Sequence, residues 1–507
     1  MNDRKPTDVN DREPTDVNDR EPTPVNGRKP TPVNGRKPTR VSDFDALDWG
    51  HVAEILPRYS GEGPRYTSYP TAPVWQESYG PEQVRAELAR EDVSPSDGLA
   101  LYVHVPFCES LCHFCACNKV ITRKREPAVR FLELVEREVA AVREALRVPR
   151  EATQMHWGGG TPTFLLPDQL VRLHRVVTQA LPMRAGAEVS LEVDPRVTTP
   201  EQVAALAGCG FNRISMGVQD FDPRVQQAIH REQSVEQTGR LVEGARAAGF
   251  ASVNFDLIYG LPYQTEASFA QTLERVLELA PDRLALYSYA HVTWLAKQQR
   301  GFEHHDLPDP STKLRIFLSA LRRFLEAGYR YIGLDHFAKP EDELSQALAD
   351  RTLRRNFMGH TTQAGVDLLG FGPSAISELR GGYAQSFRDL ERWEQAVLAR
   401  GLPTMRGHAF SADDLERRWI IGRLLCHGEL RAAEFAAEFG GSFRERFARE
   451  LTALAAVVAD GLLTLERDGS LVLTPLGRLL VRNVAMIFDA YLPEQQRSGR
   501  PIFSRTV

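Results

Sequence analysis

The sequence predicts an α/β protein: a partial (β/α) barrel, a mostly helical, winged-helix-like C-terminal domain, and a disordered N-terminal repeat tail. Three observations carry this. Short apolar runs alternate with helical stretches from Leu99 to about Tyr289, the pattern of a parallel sheet with crossover helices. After about Leu390 helical periodicity takes over and ends in a small hairpin. Before both lies a charged, proline-bearing repeat.

The repeat reads DRKPTDVN, DREPTDVN, DREPTPVN, GRKPTPVN, GRKPTRVS. Each unit offers one valine for burial, too little apolar surface to offset the entropy of ordering. Residues 1–44 are therefore assigned to a disordered tail, 45–395 to the barrel with its N-terminal covering segment, and 396–507 to a C-terminal domain that covers the substrate. The expected strands are Leu101–Val105, Gln154–Trp157, Val189–Val193, Arg213–Val218, Val253–Ile258 and Leu284–Ser288. Between the first two, Phe131, Leu134, Val135, Val139, Val142 and Leu146 share one helical face. A second helix carries Leu314, Phe317, Leu318, Leu321, Phe324 and Leu325 and ends near Gly328. In the last part, Asp413–Leu425 and Phe443–Asp460 read as helices, and Leu462–Glu466 and Leu471–Leu473 as strands about a DG turn.

A net charge of -5 over 507 residues gives no basic footprint for nucleic acid. No apolar run is long enough to span a bilayer, and the first 40 residues hold no apolar signal segment. A cytoplasmic monomer is expected, since clustered thiols suit a reducing compartment.

Four of the six cysteines, Cys108, Cys112, Cys115 and Cys117, fall within ten residues. The first three form C-x3-C-x2-C. A disulfide framework spreads its cysteines along the chain, whereas a metal site gathers them. Three thiolates can hold three irons of a [4Fe–4S] cluster and leave the fourth open to a ligand. A structural zinc knot is the competing reading, although zinc usually takes two separated cysteine pairs or Cys/His mixtures. Cys209 and Cys426 read as ordinary buried cysteines.

The expected strands end in residues with chemical capacity. The second runs into HWGGGTPT, where Gly158, Gly159 and Gly160 precede Thr161; no P-loop lysine follows. The third ends at Glu192 and Asp194, the fourth at Gln219 and Asp220, the fifth carries Asp256, and the sixth ends at Ala290 and His291. In barrels such ends face the chemistry, and the cysteine loop follows the first strand.

Together these motifs resemble the radical S-adenosylmethionine enzymes. RYTSYPT, LYVHVPFC, CxCNK, HWGGGTPT, EVDPR, FNRISMGVQDF, NFDLIYGLP, DHFA and RNFMGHTTQ are similar to the oxygen-independent coproporphyrinogen III oxidases within them, from about Pro64 to the terminal FSRTV. One departure is Ala116, where a glycine is expected between the last two cysteines. The resemblance implies that Cys108, Cys112 and Cys115 ligate the cluster and that Cys117 and His104 serve catalysis. It implies S-adenosylmethionine at two sites: Tyr102, Gly159, Glu192 and Ile376 at the cluster-bound one, and Phe114, Gly160, Thr161, Gln219, Arg231, Asp256 and Ala290 at the second. The implied reaction uses a 5′-deoxyadenosyl radical to turn two propionates of coproporphyrinogen III into the vinyl groups of protoporphyrinogen IX, with a flavodoxin or ferredoxin as electron donor. Arg482 and Arg505 are expected to hold unreacting propionates, and Arg58–Trp75 to fold over the site. A heme chaperone of the same superfamily is the rival; such relatives lack the fourth cysteine and the RYTSYPT segment, both present here.

Overall fold

The structure, a computed structural model, describes residues 47–302, 306–497 and 502–503. The expected disordered tail and Arg505 lie outside the described residues.

A twelve-stranded sheet forms the body of the chain. All six expected strands are present: β1 (Leu99–Val105), β2 (Ala152–Gly159), β3 (Met183–Val193), β4 (Arg213–Gln219), β5 (Ser252–Tyr259) and β6 (Arg283–Ser288). They lie side by side in that order and pair in parallel. An antiparallel hairpin, β7 (Arg330–Gly333) and β8 (His336–Ala338), extends the β6 edge. On the other side β9 (Asp367–Phe371) joins β1 in parallel, followed by antiparallel β10 (Ile376–Leu379), β11 (Gly382–Ser386) and β12 (Thr404–Ala409). β1 is buried at every position except Tyr102, as a strand covered on both faces should be.

The helices match their sequence signals. Glu126–Ala145 buries Phe131, Leu134, Val135, Val139 and Val142. Phe131 meets Phe107 edge-on at 5.7 Å, so this helix anchors the strand that enters the cysteine loop. Pro310–Glu326 starts at Asp309, whose carboxylate accepts from the Ser311 and Thr312 amides. It stops before Gly328, which holds φ +92°.

The sheet runs past residue 395 to Ala409, because β11 and β12 pair from Gly382 to Thr404 across Leu390–Arg400. Beyond it, Ala412–His427 leads into a small sheet of β13 (Glu429–Leu430), β14 (Leu463–Leu465) and β15 (Leu471–Leu473), with β15 central. The stretch expected as one helix, Phe443–Asp460, is three short ones: Phe443–Arg446, Ala448–Ala453 and Ala455–Ala459. Their buried Phe443, Phe447 and Leu454 share a core with Ile420, Leu424 and Phe488.

The covering segment binds this C-terminal unit as well as the barrel. Tyr66 donates to Asp489 at 3.0 Å and Tyr69 Oη accepts from the Ala490 amide at 3.1 Å, while Arg65 pairs with Asp335 at 3.1 Å. Arg482 lines a small cavity with Tyr259, Ser288 and Asp335, at the ends of β5 and β6. It also donates to the carbonyls of Gly63 and Pro64 at 2.6 and 3.1 Å, so it clamps the covering segment. Among the described residues no helix is long and apolar enough to cross a membrane.

Candidate active site

The cysteine loop leaves the C-terminal end of β1 and is held by backbone bonds at both ends. Val120 N donates to Pro106 O at 2.7 Å and Thr122 N to Cys108 O at 2.9 Å. Lys119 Nζ reaches back to the carbonyls of Cys115 and Cys117 at 3.0 and 3.3 Å. The loop therefore closes on itself and turns Cys108, Cys112, Cys115 and Cys117 toward one cavity of about 290 Å³ at the strand ends. No three His, Cys, Asp or Glu side chains converge on a single-ion position among the described residues.

Two guanidiniums face those sulfurs. Arg196 Nη2 lies 3.4 Å and Arg231 Nη1 3.5 Å from Cys112 Sγ. Both also bind Asp194, at 2.7 and 3.1 Å. Burial alone would raise the Asp194 pKa, but these two cations hold it below the ordinary value. Burial pushes the Cys108 thiol up to about 11, with Thr161 Oγ1 at 3.5 Å acting the other way. The hydrogen bond between Cys115 and Cys117 lowers the Cys115 thiol and raises that of Cys117.

Opposite the thiols stand two carboxylates. Glu192 accepts from the Gly159 amide at 3.3 Å and faces His156 Nε2 at 3.5 Å. Burial opposes its ionisation, but the His156 hydrogen bond and charge hold its pKa below the ordinary value. Asp256 accepts from Ser215 at 2.9 Å and Asn254 at 3.0 Å. Burial, then the negative charge of Glu192, push it up to about 6. Gln219 enters the same cavity from a left-handed backbone, φ +65°, a conformation uncommon outside glycine.

The glycines are explained by packing. A Cβ on Gly158 would lie 3.0 Å from the Glu192 carboxylate, and one on Gly160 2.7 Å from the Phe107 carbonyl oxygen. Gly159 holds φ +115° over the His104 ring. The triglycine thus lets the cysteine loop, β2 and Glu192 close on one another.

Of the residues expected at the site, Cys108, Cys112, Cys115, Cys117, Phe114, Gly159, Gly160, Thr161, Glu192, Gln219, Arg231 and Asp256 line this cavity. Tyr102, His104, Ala290 and Ile376 do not. His104 is buried with both ring nitrogens engaged: Nε2 donates to Asn118 O at 2.9 Å, so Nδ1 accepts from Tyr102 Oη at 3.0 Å. These two bonds tie the ring to β1 and to the end of the cysteine loop. Tyr102 stacks on His156 at 6.1 Å. Ala290 contributes a carbonyl that accepts from Gln299 at 3.2 Å, and Ile376 packs with Trp75 and Tyr383. Arg196, Lys119 and Tyr287 line the cavity without having been singled out. Arg196 stands in EVDPR, two residues beyond Asp194, where no periodicity marks a loop side chain.

Soft thiolates are the ligands an iron–sulfur cluster takes, and Arg196 and Arg231 beside them would offset its negative charge. The residues present fit such a group, with carboxylates opposite to meet a cationic or hydroxylated ligand.

Residues 102–276 match the Radical SAM superfamily model, and 410–480 the HemN C-terminal domain. The chain is 43% identical over 461 residues to the oxygen-independent coproporphyrinogen III oxidase of Escherichia coli (strain K12), covering 91% of this chain and 99% of that one. It is 42% identical over 466 residues to the protein of that name from Pseudomonas aeruginosa, covering 91% and 100%. The chain belongs to the oxygen-independent coproporphyrinogen III oxidase family. A solved structure described as coproporphyrinogen III oxidase (HemN) from Escherichia coli, a radical SAM enzyme, superposes with a TM-score of 0.81 at 43% identity, over 84% of this chain and 97% of that one. Membership in the family implies its cofactors, a [4Fe–4S] cluster and S-adenosylmethionine, and the cavity is built to suit them.

Proposed function

We propose that this chain converts coproporphyrinogen III to protoporphyrinogen IX without oxygen, by oxidative decarboxylation of two propionate side chains. The observation that carries the reading is the shared cavity: three thiols of C-x3-C-x2-C face Glu192, Gln219 and Asp256 at the parallel strand ends, in a chain alike over nearly its full length to oxidases of that name. Cys108, Cys112 and Cys115 hold the cluster. When bound and reduced, cluster and S-adenosylmethionine would supply hydrogen-atom abstraction from a propionate β-carbon, the carbon next to the pyrrole ring.

The chain's own residues do the rest. Arg196 and Arg231 set positive charge against the Cys112 sulfur and keep Asp194 ionised between them. Glu192, ionised, offers its free lone pairs to an ammonium or to ribose hydroxyls. Asp256, Gln219 and Arg231 form the wall that takes a second S-adenosylmethionine, with Phe114, Gly160 and Thr161 beside them. Tyr102 and Ile376, with Gly159, contact the cluster-bound S-adenosylmethionine, and Ala290 the second one. Cys117 remains free of the cluster and handles substrate or cofactor. The covering segment, clamped by Arg482, limits solvent access. The electron comes from a reduced flavodoxin- or ferredoxin-type donor, and the protein works as a cytoplasmic monomer. The fourth cysteine and the Arg65–Thr71 stretch count against a heme chaperone.

The test is anaerobic. Protein reconstituted with iron and sulfide should form protoporphyrinogen IX and two carbon dioxides per substrate with dithionite and S-adenosylmethionine. Cys108→Ala, Cys112→Ala and Cys115→Ala should lose iron and activity, and Cys117→Ser should lose activity alone. Heme binding with no decarboxylation would favour the chaperone.

A further inference from the structure

The segment following β6 packs on the outer side of the cysteine loop. Gln298 Nε2 donates to the Cys115 carbonyl at 2.5 Å, and Gln299 Nε2 to the Phe114 carbonyl at 2.8 Å. Phe114 itself packs in a small apolar cluster with Val225, Ile229, Tyr289 and Phe302. Two side chains of one short turn, Lys297–Gly301, are thereby fastened to the backbone of the loop that carries the thiols.

The outward side chains of this segment are of another kind. Trp294 and Leu295 are adjacent, large and apolar, yet 46% and 53% exposed. Lys297 and Arg300 are exposed beside them and pair with no acid among the described residues. An apolar pair rimmed by two unneutralised cations, on a chain of net charge -5, is the make-up of a protein contact: Trp and Arg are enriched at interface centres, and rim charges steer encounter with a partner of opposite sign. The loop's inner side lines the cavity, so this segment is bonded directly to the backbone of the loop whose thiols would hold the cluster.

We infer that Trp294, Leu295, Lys297 and Arg300 form the docking surface for a small acidic one-electron carrier protein. The inference rests on the proposed function, which requires an external electron. At the contact the reduced carrier loses one electron and the cluster gains one, and no proton or bond changes hands there. Redox encounters of this kind bury little area and dissociate quickly, which four exposed side chains can serve.

The experiment uses the full-length reconstituted protein and a low-potential flavodoxin as probe. Binding of the oxidised probe is measured by calorimetry over a range of salt, and S-adenosylmethionine cleavage is driven in turn by reduced probe and by dithionite. The double variant Lys297→Glu/Arg300→Glu should bind the probe about ten-fold more weakly at low salt and lose most of the salt dependence. Trp294→Ala should weaken binding with the salt dependence kept. In both, the visible spectrum and dithionite-driven cleavage should match the unsubstituted protein. Wild-type binding of the probe by the charge-reversed protein, or no binding by the unsubstituted protein, overturns the surface alone. Loss of dithionite-driven cleavage in either variant also overturns it, since the segment would then act by shaping the cluster loop. Self-association relieved by Trp294→Ala would assign the face to a second copy. No dithionite-driven cleavage by the unsubstituted protein would overturn the function and the surface together.

Discussion

The guanidinium of Arg231 lies 3.5 Å from the sulfur of Cys112. The same Nη1 is 3.1 Å from Asp194, and Nη2 donates to the Gly217 carbonyl at 2.7 Å. Gly217 makes room for it, since a Cβ there would come within 2.9 Å of Nη2. One buried cation thus joins the cysteine loop to the ends of β3 and β4, and fixes where the thiol stands relative to the carboxylates.

Replacing Arg231 by Ala should therefore act on both folding and the cluster. Asp194 keeps Arg196 but loses half of its compensation, at a cost of about 2–3 kcal/mol. Arg231→Lys retains a charge but cannot reach carboxylate, carbonyl and sulfur together. Urea unfolding and iron per chain should rank wild type, Lys and Ala in that order. Equal iron content in all three would show that the arginine does not support the cluster.

The two outer glycines of the triglycine should respond differently. Gly160→Ala sets a Cβ against the Pro106 and Phe107 backbone, which cannot yield without moving the cysteine loop; about 1–3 kcal/mol of stability and most of the iron should be lost. Gly158→Ala meets only the Glu192 carboxylate, which can rotate. It should keep its iron and show weaker S-adenosylmethionine binding by equilibrium dialysis. The reverse pattern would refute the packing argument.

Asp256 gives a pH dependence of definite sign. Its pKa in the folded chain, about 6, is above the ordinary 3.8, so folding favours the protonated form. The penalty for its charge is absent below the unfolded value and fully present once pH exceeds about 6. Asp256→Asn keeps the Ser215 and Asn254 environment without the charge. It should be more stable than wild type at pH 7.5, by roughly 1–3 kcal/mol, and the gain should vanish near pH 4. Chemical denaturation at the two pH values checks this; a gain that grows toward acid would contradict it.

The parallel half of the fold was readable in the sequence because β1 to β6 are apolar runs bounded by turns, each delivering a polar residue at its end. Strands β7 to β12 were not, because segments such as GYAQS and ISEL are short and mix small and polar residues; tertiary pairing decides them. The cavity's cysteines, glycines and carboxylates were found through motif spacing. Arg196 was missed because its role comes from the fold bringing Cys112 beside it. The place of His104 in LYVHVPFC does not reveal its bonds to Tyr102 and Asn118, which only the fold brings to it. The charge of Arg482 does not reveal its bonds to the carbonyls of Gly63 and Pro64, which lie more than 400 residues away in the chain.

The central claim is that the cavity between the cysteine loop and Glu192 abstracts hydrogen from a propionate of coproporphyrinogen III. Substrate deuterated at the propionate β-carbons, turned over anaerobically with S-adenosylmethionine and dithionite, tests it most directly by mass spectrometry of the nucleoside product. The account predicts 5′-deoxyadenosine carrying substrate deuterium, formed together with protoporphyrinogen IX. Unlabelled 5′-deoxyadenosine, with the tetrapyrrole recovered unchanged, would contradict it.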